Sequence, residues 1–142
     1  MEPFFPAIWN VFHDGCIEQI EGSAPGMVSV HVGIEYLREM FSDPGEYFIV
    51  TFPNCTKFSF QHYESEELVV DLASITEDFP GILSAQMDGD VCKVFTDAGL
   101  LKMSSDDGSI RLDSGREISL DELLQAATKY WDDWEAKSRD KK

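Results

Sequence analysis

SIRLDSGREISLDELLQAATKYWDDWEAKSRDKK, Ser109 to Lys142, is the stretch whose reading decides the fold. It gives a short strand, a turn at Ser114-Gly115, and one amphipathic helix over residues 119–138. Ser119 is placed as the N-cap, its hydroxyl accepting an amide hydrogen bond from the first turn. Glu122, three residues on, reaches back to the amide of Ser119 and completes a capping box. Ile118 before the cap and Leu123 after it are spaced for a hydrophobic staple. Leu120, Leu123, Leu124, Ala127, Tyr130, Trp131 and Trp134 then recur at intervals of three and four, which makes one apolar stripe. So large a stripe requires an apolar surface to cover it, and the rest of the chain must supply a sheet.

The residues upstream do so. Val28, Val30, Val32 and Ile34 alternate with Ser29, His31, Gly33 and Glu35, so Met27 to Glu35 is a strand with one face to the core. Tyr36 to Phe41 forms a short helical turn stopped by Asp43-Pro44-Gly45. Tyr47 to Phe52 is apolar on both faces, as a central strand is. Pro53-Asn54 then predicts a turn, with Thr56 to Tyr63 returning. Short strands follow at Ile82–Met87, Val91–Thr96, Leu100–Ser104 and Ile110–Asp113, with Asp88-Gly89, Ala98-Gly99 and Asp107-Gly108 as hairpin turns between them. At the start, Phe4, Phe5, Ile8, Trp9, Val11 and Phe12 make an aromatic opening. Pro3 and Pro6 delay a regular strand to about residue 7, and Asp14-Gly15 predicts a hairpin to a return strand, Cys16–Glu21. Leu68 to Phe79 is ambiguous between strand and a short helix capped by Asp71. The expectation is a single α+β domain over residues 1–142. A curved antiparallel sheet or open barrel over 7–113, of eight or nine strands, carries the C-terminal helix packed on it.

Charge is the unusual bulk property, at −16. Residues 119–142 hold six acids and five bases, a net of −1; residues 1–118 hold the other twenty-one acids and six bases, a net of −15. The acidity belongs to the body of the domain. Such a field repels nucleic acid and anionic membrane and attracts basic proteins. The opening MEPFFPAIW has no positive charge before its apolar residues and so lacks the build of a secretory signal. No apolar run has membrane length, and Cys16, Cys55 and Cys92 suit buried thiols in a reducing compartment. A cytoplasmic protein is expected.

Motifs for chemistry are sparse. His13, His31 and His62 lie on three different expected strands without metal-ligand spacing. Ser104 to Asp113 lacks the pattern of a calcium loop and is explained as a hairpin turn. No nucleophile elbow, phosphate loop or dinucleotide fingerprint is present. Neither a catalytic residue nor a metal or other cofactor is assigned.

Three functional expectations remain. In the first, the domain docks a basic protein through carboxylates at its turns: Glu64, Glu66, Glu67, Asp88, Asp90, Asp106 and Asp107. In the second, the curved sheet encloses a ligand or catalytic pocket lined by Tyr47, Phe58, Phe60 and His62. The third is a homodimer joined at a spare sheet edge, with Tyr47 to Phe52 as the edge in question. Trp131 and Trp134 share the helix face of Tyr130 and Ala127 and are expected to pack on the sheet; a protruding ring would mark an interface.

FHDGCIEQIEG (Phe12–Gly22), Pro25 to Phe41 and YWDDW (Tyr130–Trp134) together resemble a family of small bacterial domains that brings no established activity. The resemblance spans nearly the whole chain and transfers no functional residue. In bulk character alone, a compact acidic domain of this size is similar to immunity proteins, which implies a cognate toxin as the basic partner.

Overall fold

Among the described residues nine strands pair into one curved antiparallel sheet, and the path β1-β2-β3-β7-β6-β5 forms its body. The computed structural model describes residues 4–64, 68–69, 71, 75, 80–105 and 108–140. In chain order the elements are helix α1 (Phe4–Val11), strands β1 (Cys16–Gly22) and β2 (Gly26–Gly33), and helix α2 (Glu35–Arg38). Strands β3 (Tyr47–His62), β4 (Leu68–Val69), β5 (Ile82–Asp88) and β6 (Val91–Thr96) follow. Strands β7 (Gly99–Ser105), β8 (Ser109–Leu112) and β9 (Glu117–Ile118) then lead into helix α3 (Leu120–Asp140). The α+β, strand-dominated architecture expected from the sequence is the one observed. Of the ambiguous Leu68–Phe79 segment, β4 is a strand and Ile75 is buried; most of the remainder lies outside the described residues.

β3 is the spine. Its first half lies between β2 and β8, with Val50 opposite both Val30 and Ile110. Its second half lies between β4 and β7, with Phe60 opposite both Val69 and Leu101. The turn expected at Pro53-Asn54 does not exist, because the strand runs straight through it. Both residues are exposed, and both fall where β3 passes from one set of neighbours to the next, outside every position paired among the described residues. Proline's missing N–H therefore costs no ladder bond. It follows that Tyr47–Phe52 is a central segment, not a spare edge. Of the hairpin turn expected at Asp107-Gly108, Asp107 lies outside the described residues, and no pairing joins β7 to β8 among those described. β7 and β8 both run antiparallel to β3, so they point the same way along its flank.

The N-terminal segment corrects a second expectation. Residues 7–12 are not a strand; α1 covers Phe4–Val11 and the sheet starts at Cys16. Ile8, Trp9 and Phe12, on one helical face, are fully buried. Pro6 is tolerated because the first-turn amides of a helix have no partner within it. Asp14, at φ 74°, ends this helical segment and does not open a hairpin. The Asp14 N–H then donates to the Ile82 carbonyl at 2.9 Å and the Ile82 N–H to the Gly15 carbonyl at 2.7 Å. These bonds tie the approach to β1 to the start of β5 and bend the sheet without closing it.

The core lies inside this curve. Val28, Val30 and Val32, then Phe48, Val50 and Phe52, then Phe58, Phe60, Leu101 and Met103 fill it. Phe12 packs on Phe48 at 5.2 Å and Trp9 on Phe52 at 6.0 Å between ring centres.

α3 begins as its sequence predicts. The Glu122 N–H donates to Ser119 Oγ at 3.0 Å, and the Ser119 N–H reaches Glu122 Oε1 at 3.5 Å. Ile118 and Leu123 are buried, which anchors the first turn on the sheet. Burial then fades along the stripe. Trp131 is 37% and Trp134 53% exposed, against the expectation that both pack on the sheet. At about 1.5 Å per residue the helix outruns the surface that could cover it, and residues 131–137 are all exposed. Among the described residues no helix is long and apolar enough to cross a membrane.

Candidate interaction surface

α2 is the centre of the candidate site, and one buried guanidinium fixes it in place. Arg38 is 2% exposed. Its Nη2 donates to Asp113 Oδ1 at 2.8 Å and to the Pro44 carbonyl at 3.0 Å. Its Nη1 donates to the Asp43 carbonyl at 3.0 Å and its Nε to the Tyr47 carbonyl at 3.2 Å. Asp113 Oδ2 accepts from the amides of Glu46 and Tyr47 at 2.7 and 3.1 Å. Burial pushes the Asp113 carboxyl up, but those amides and Arg38 outweigh it and hold the group below the usual carboxylate range. Every arm of Arg38 is thereby committed to the loop between α2 and β3. Gly45, at φ 141°, packs where a Cβ would strike Asp113 and Arg38, so only glycine fits there.

Beside this latch lies a groove of about 550 Å³ whose lining includes Glu18, Glu35, Glu39, Glu46 and Tyr47. Four glutamates line it, and the one base in its wall among the described residues, Arg38, is already paired. Its chemistry suits a cationic group.

The other side of α2 carries aromatic rings. Tyr36 stacks on Tyr130 at 4.3 Å and meets Trp131 edge-on at 5.7 Å. Trp131 stacks on His13 at 5.9 Å and meets Trp134 at 5.9 Å with the planes at 73°. His13 Nδ1 lies 2.9 Å from the Asn10 carbonyl, a bond that needs the proton on that nitrogen. Burial first, then the charge of Asp14 and contact with Tyr130, pushes the Tyr36 hydroxyl up to about 12. It therefore stays neutral and donates to the His13 carbonyl at 3.4 Å. The result is a strip of rings from α1's exit across α2 to the outer part of α3. Glu135, one helical turn beyond Trp131, is exposed on the same side of α3.

The residues expected to make a patch at the turns are not brought together. Glu64 follows the end of β3, beside the β6–β7 turn, where Tyr63 N–H bonds the Ala98 carbonyl. Asp88 and Asp90 sit at the β5–β6 turn, which the registers of β6, β7 and β3 place at the opposite end of the sheet. Asp88 is also paired with Lys93 at 2.9 Å. Glu66, Glu67, Asp106 and Asp107 lie outside the described residues. Of the expected pocket residues, Phe58 and Phe60 are buried in the core. Tyr47 and His62 stand at opposite ends of the 16-residue β3, so these four do not line one cavity. Tyr47 instead lines the acidic groove. Among the described residues no group of three or more His, Cys, Asp or Glu side chains is placed to hold a metal ion. Burial pushes the Cys92 thiol up to about 12 and raises Cys55, which leaves both protonated and poorly nucleophilic at neutral pH.

No family model, curated protein or solved structure matches this chain. The site therefore rests on its own geometry. Its acidic half, Glu18, Glu35, Glu39 and Glu46, was not singled out from the sequence. The spacing of Glu35 and Glu39, one helical turn apart, was the available signal.

Proposed function

We propose that this chain is a protein-binding domain that docks a basic protein on the surface around α2. The observation that carries the reading is that α2 has a groove lined by four glutamates on one side and, through Tyr36, the solvent-open rings of Trp131 and Trp134 on the other. Exposed tryptophans dominate binding hot spots when a partner covers them. The −15 body steers a cationic partner and repels polyanions. Within that class, the compact acidic build fits an immunity protein whose partner is a basic toxin.

The test is affinity capture from the native host at low and at moderate salt, with wild type beside a Trp131→Ala/Trp134→Ala variant. A basic protein held by wild type, released by salt and not held by the variant is the expected result. Equal capture by both chains would remove the aromatic strip from the account.

A further inference from the structure

We infer that the partner is read through arginine: the corner between Trp131 and Trp134 takes the flat guanidinium of an arginine-bearing basic segment. This rests on the docking surface proposed above and names what it selects.

The two indoles meet at 73° and so form a corner, not a closed stack. Trp131 is held as a fixed wall, by His13 against it and Tyr36 at its edge, while Trp134 is the more open ring. Fixed aromatic walls lose little entropy when a partner arrives. Charge follows the same direction. Glu135, exposed and one helical turn beyond Trp131, is the acid on that side of α3, while Asp132 and Asp133 line the opposite side with Thr128 and Lys129. The glutamate groove lies across α2, on the side away from Tyr36. A second copy of the chain is disfavoured as occupant, since each copy brings a net charge of −16.

Arginine is favoured over lysine by shape and hydration. A guanidinium stacks flat on a ring and gives parallel bonds to a carboxylate, whereas an ammonium keeps its water shell. The molecule already makes one such nest. The Arg116 guanidinium carbon lies 5.9 Å from the Phe41 ring centre. Arg116 Nε and Nη2 bond both oxygens of Asp43 at 2.9 to 3.1 Å. Ring and guanidinium meet in the same way if a partner's arginine enters the tryptophan corner.

The test uses the full chain with octa-arginine and octa-lysine peptides of equal charge, followed by peptide anisotropy and by tryptophan emission. Of the three tryptophans Trp9 is fully buried, so a change in emission on binding reports Trp131 and Trp134. The arginine peptide is expected to bind about tenfold more tightly and to quench emission. Trp134→Ala, at an exposed position, is expected to bring the two peptides within about twofold of each other. Equal affinities in wild type overturn the arginine inference and leave the basic-partner reading standing. Failure of both peptides to bind overturns both. Self-association of the free chain that Trp134→Ala abolishes would assign the corner to a second copy instead.

Discussion

The side-chain amide of Asn10 bonds both backbone polar groups of Ala85. Its Nδ2 donates to the Ala85 carbonyl at 3.1 Å, and its Oδ1 accepts from the Ala85 N–H at 2.8 Å. Among the described residues β5 pairs with β6 on one side only, so Ala85 presents these groups at a free sheet edge. An open edge is a template for another strand. Asn10 fills it from α1, and the helix thereby closes the one side of the sheet that β-pairing leaves open at this point.

Asn10→Ala is accordingly expected to destabilise the fold by about 1–3 kcal/mol, since it strips partners from two backbone groups and removes an anchor of α1. Asn10→Asp keeps an acceptor for the N–H but sets a carboxylate against the Ala85 carbonyl, so it does not rescue. Urea denaturation measures the loss, and light scattering should show association rising with concentration as the edge opens. An unchanged midpoint would mean that water serves Ala85 as well as Asn10 does.

The Arg38–Asp113 latch predicts an acid-sensitive loop. Asp113 is held below its ordinary value in the fold, so its contribution is fully present above the unfolded-state value, about pH 4. It is lost as pH falls through the lowered folded value. Stability of the wild type should therefore drop below about pH 4, and Asp113→Asn should be less stable at neutral pH with a shallower acid slope. Arg38→Ala leaves three carbonyls without their donor and the Asp113 carboxylate with backbone amides alone, and should cost about 3 kcal/mol. Parallel denaturation curves from pH 7 to pH 3 separate the two variants; an Asp113→Asn chain with the full acid slope would place the effect elsewhere.

Much of this fold is legible in the sequence, and the misses share a cause. The capping box of Ser119 and Glu122 is local and was read correctly. So was the alternation of Val28, Val30 and Val32. Pro6, Asp14-Gly15 and Pro53-Asn54 are equally local signals, yet each was overruled. A proline reads as a break only where an N–H is required, and neither the first turn of α1 nor the hand-over point of β3 requires one. Likewise, spacing places Trp131 and Trp134 on one helical face but does not say how far the body extends beneath it. The groove was hidden for a related reason, because Glu18, Glu35 and Glu46 meet only through the pairing of β1, β2 and β3.

Trp9 gives a third prediction. Its ring is fully buried, and among the described residues its indole N–H has no hydrogen-bond partner. An unsatisfied buried donor costs about 1–3 kcal/mol, which offsets part of what the large ring contributes. Trp9→Phe should therefore change stability by less than about 1 kcal/mol, while Trp9→Ala should cost about 3–5 kcal/mol through the cavity it leaves. Thermal and urea unfolding of both variants checks the contrast. A large loss with phenylalanine would show that the indole N–H has found a partner.

The outer face of the sheet sets the last prediction. Lys93 on β6 lies directly opposite Lys102 on β7, and like charges so placed repel. Lys93 is relieved by Asp88 at 2.9 Å, whereas the residue across β3 from Lys102 is the uncharged Ser59. In a chain with 27 acids, this pair of bases faces itself. Lys102→Glu replaces the repulsion with an opposite-charge pair and should stabilise the fold by about 0.5 kcal/mol at low salt. The gain is limited from two sides. Asp88, whose carboxyl is held low by Lys93 and more weakly by Lys102, loses one favourable neighbour. The body of the domain also becomes more negative, which raises its self-repulsion. In 1 M salt the Debye length falls to about 3 Å, so the gain should shrink toward zero. Urea midpoints at both salt concentrations decide it: a gain that survives high salt would come from packing or strand propensity at position 102, not from charge.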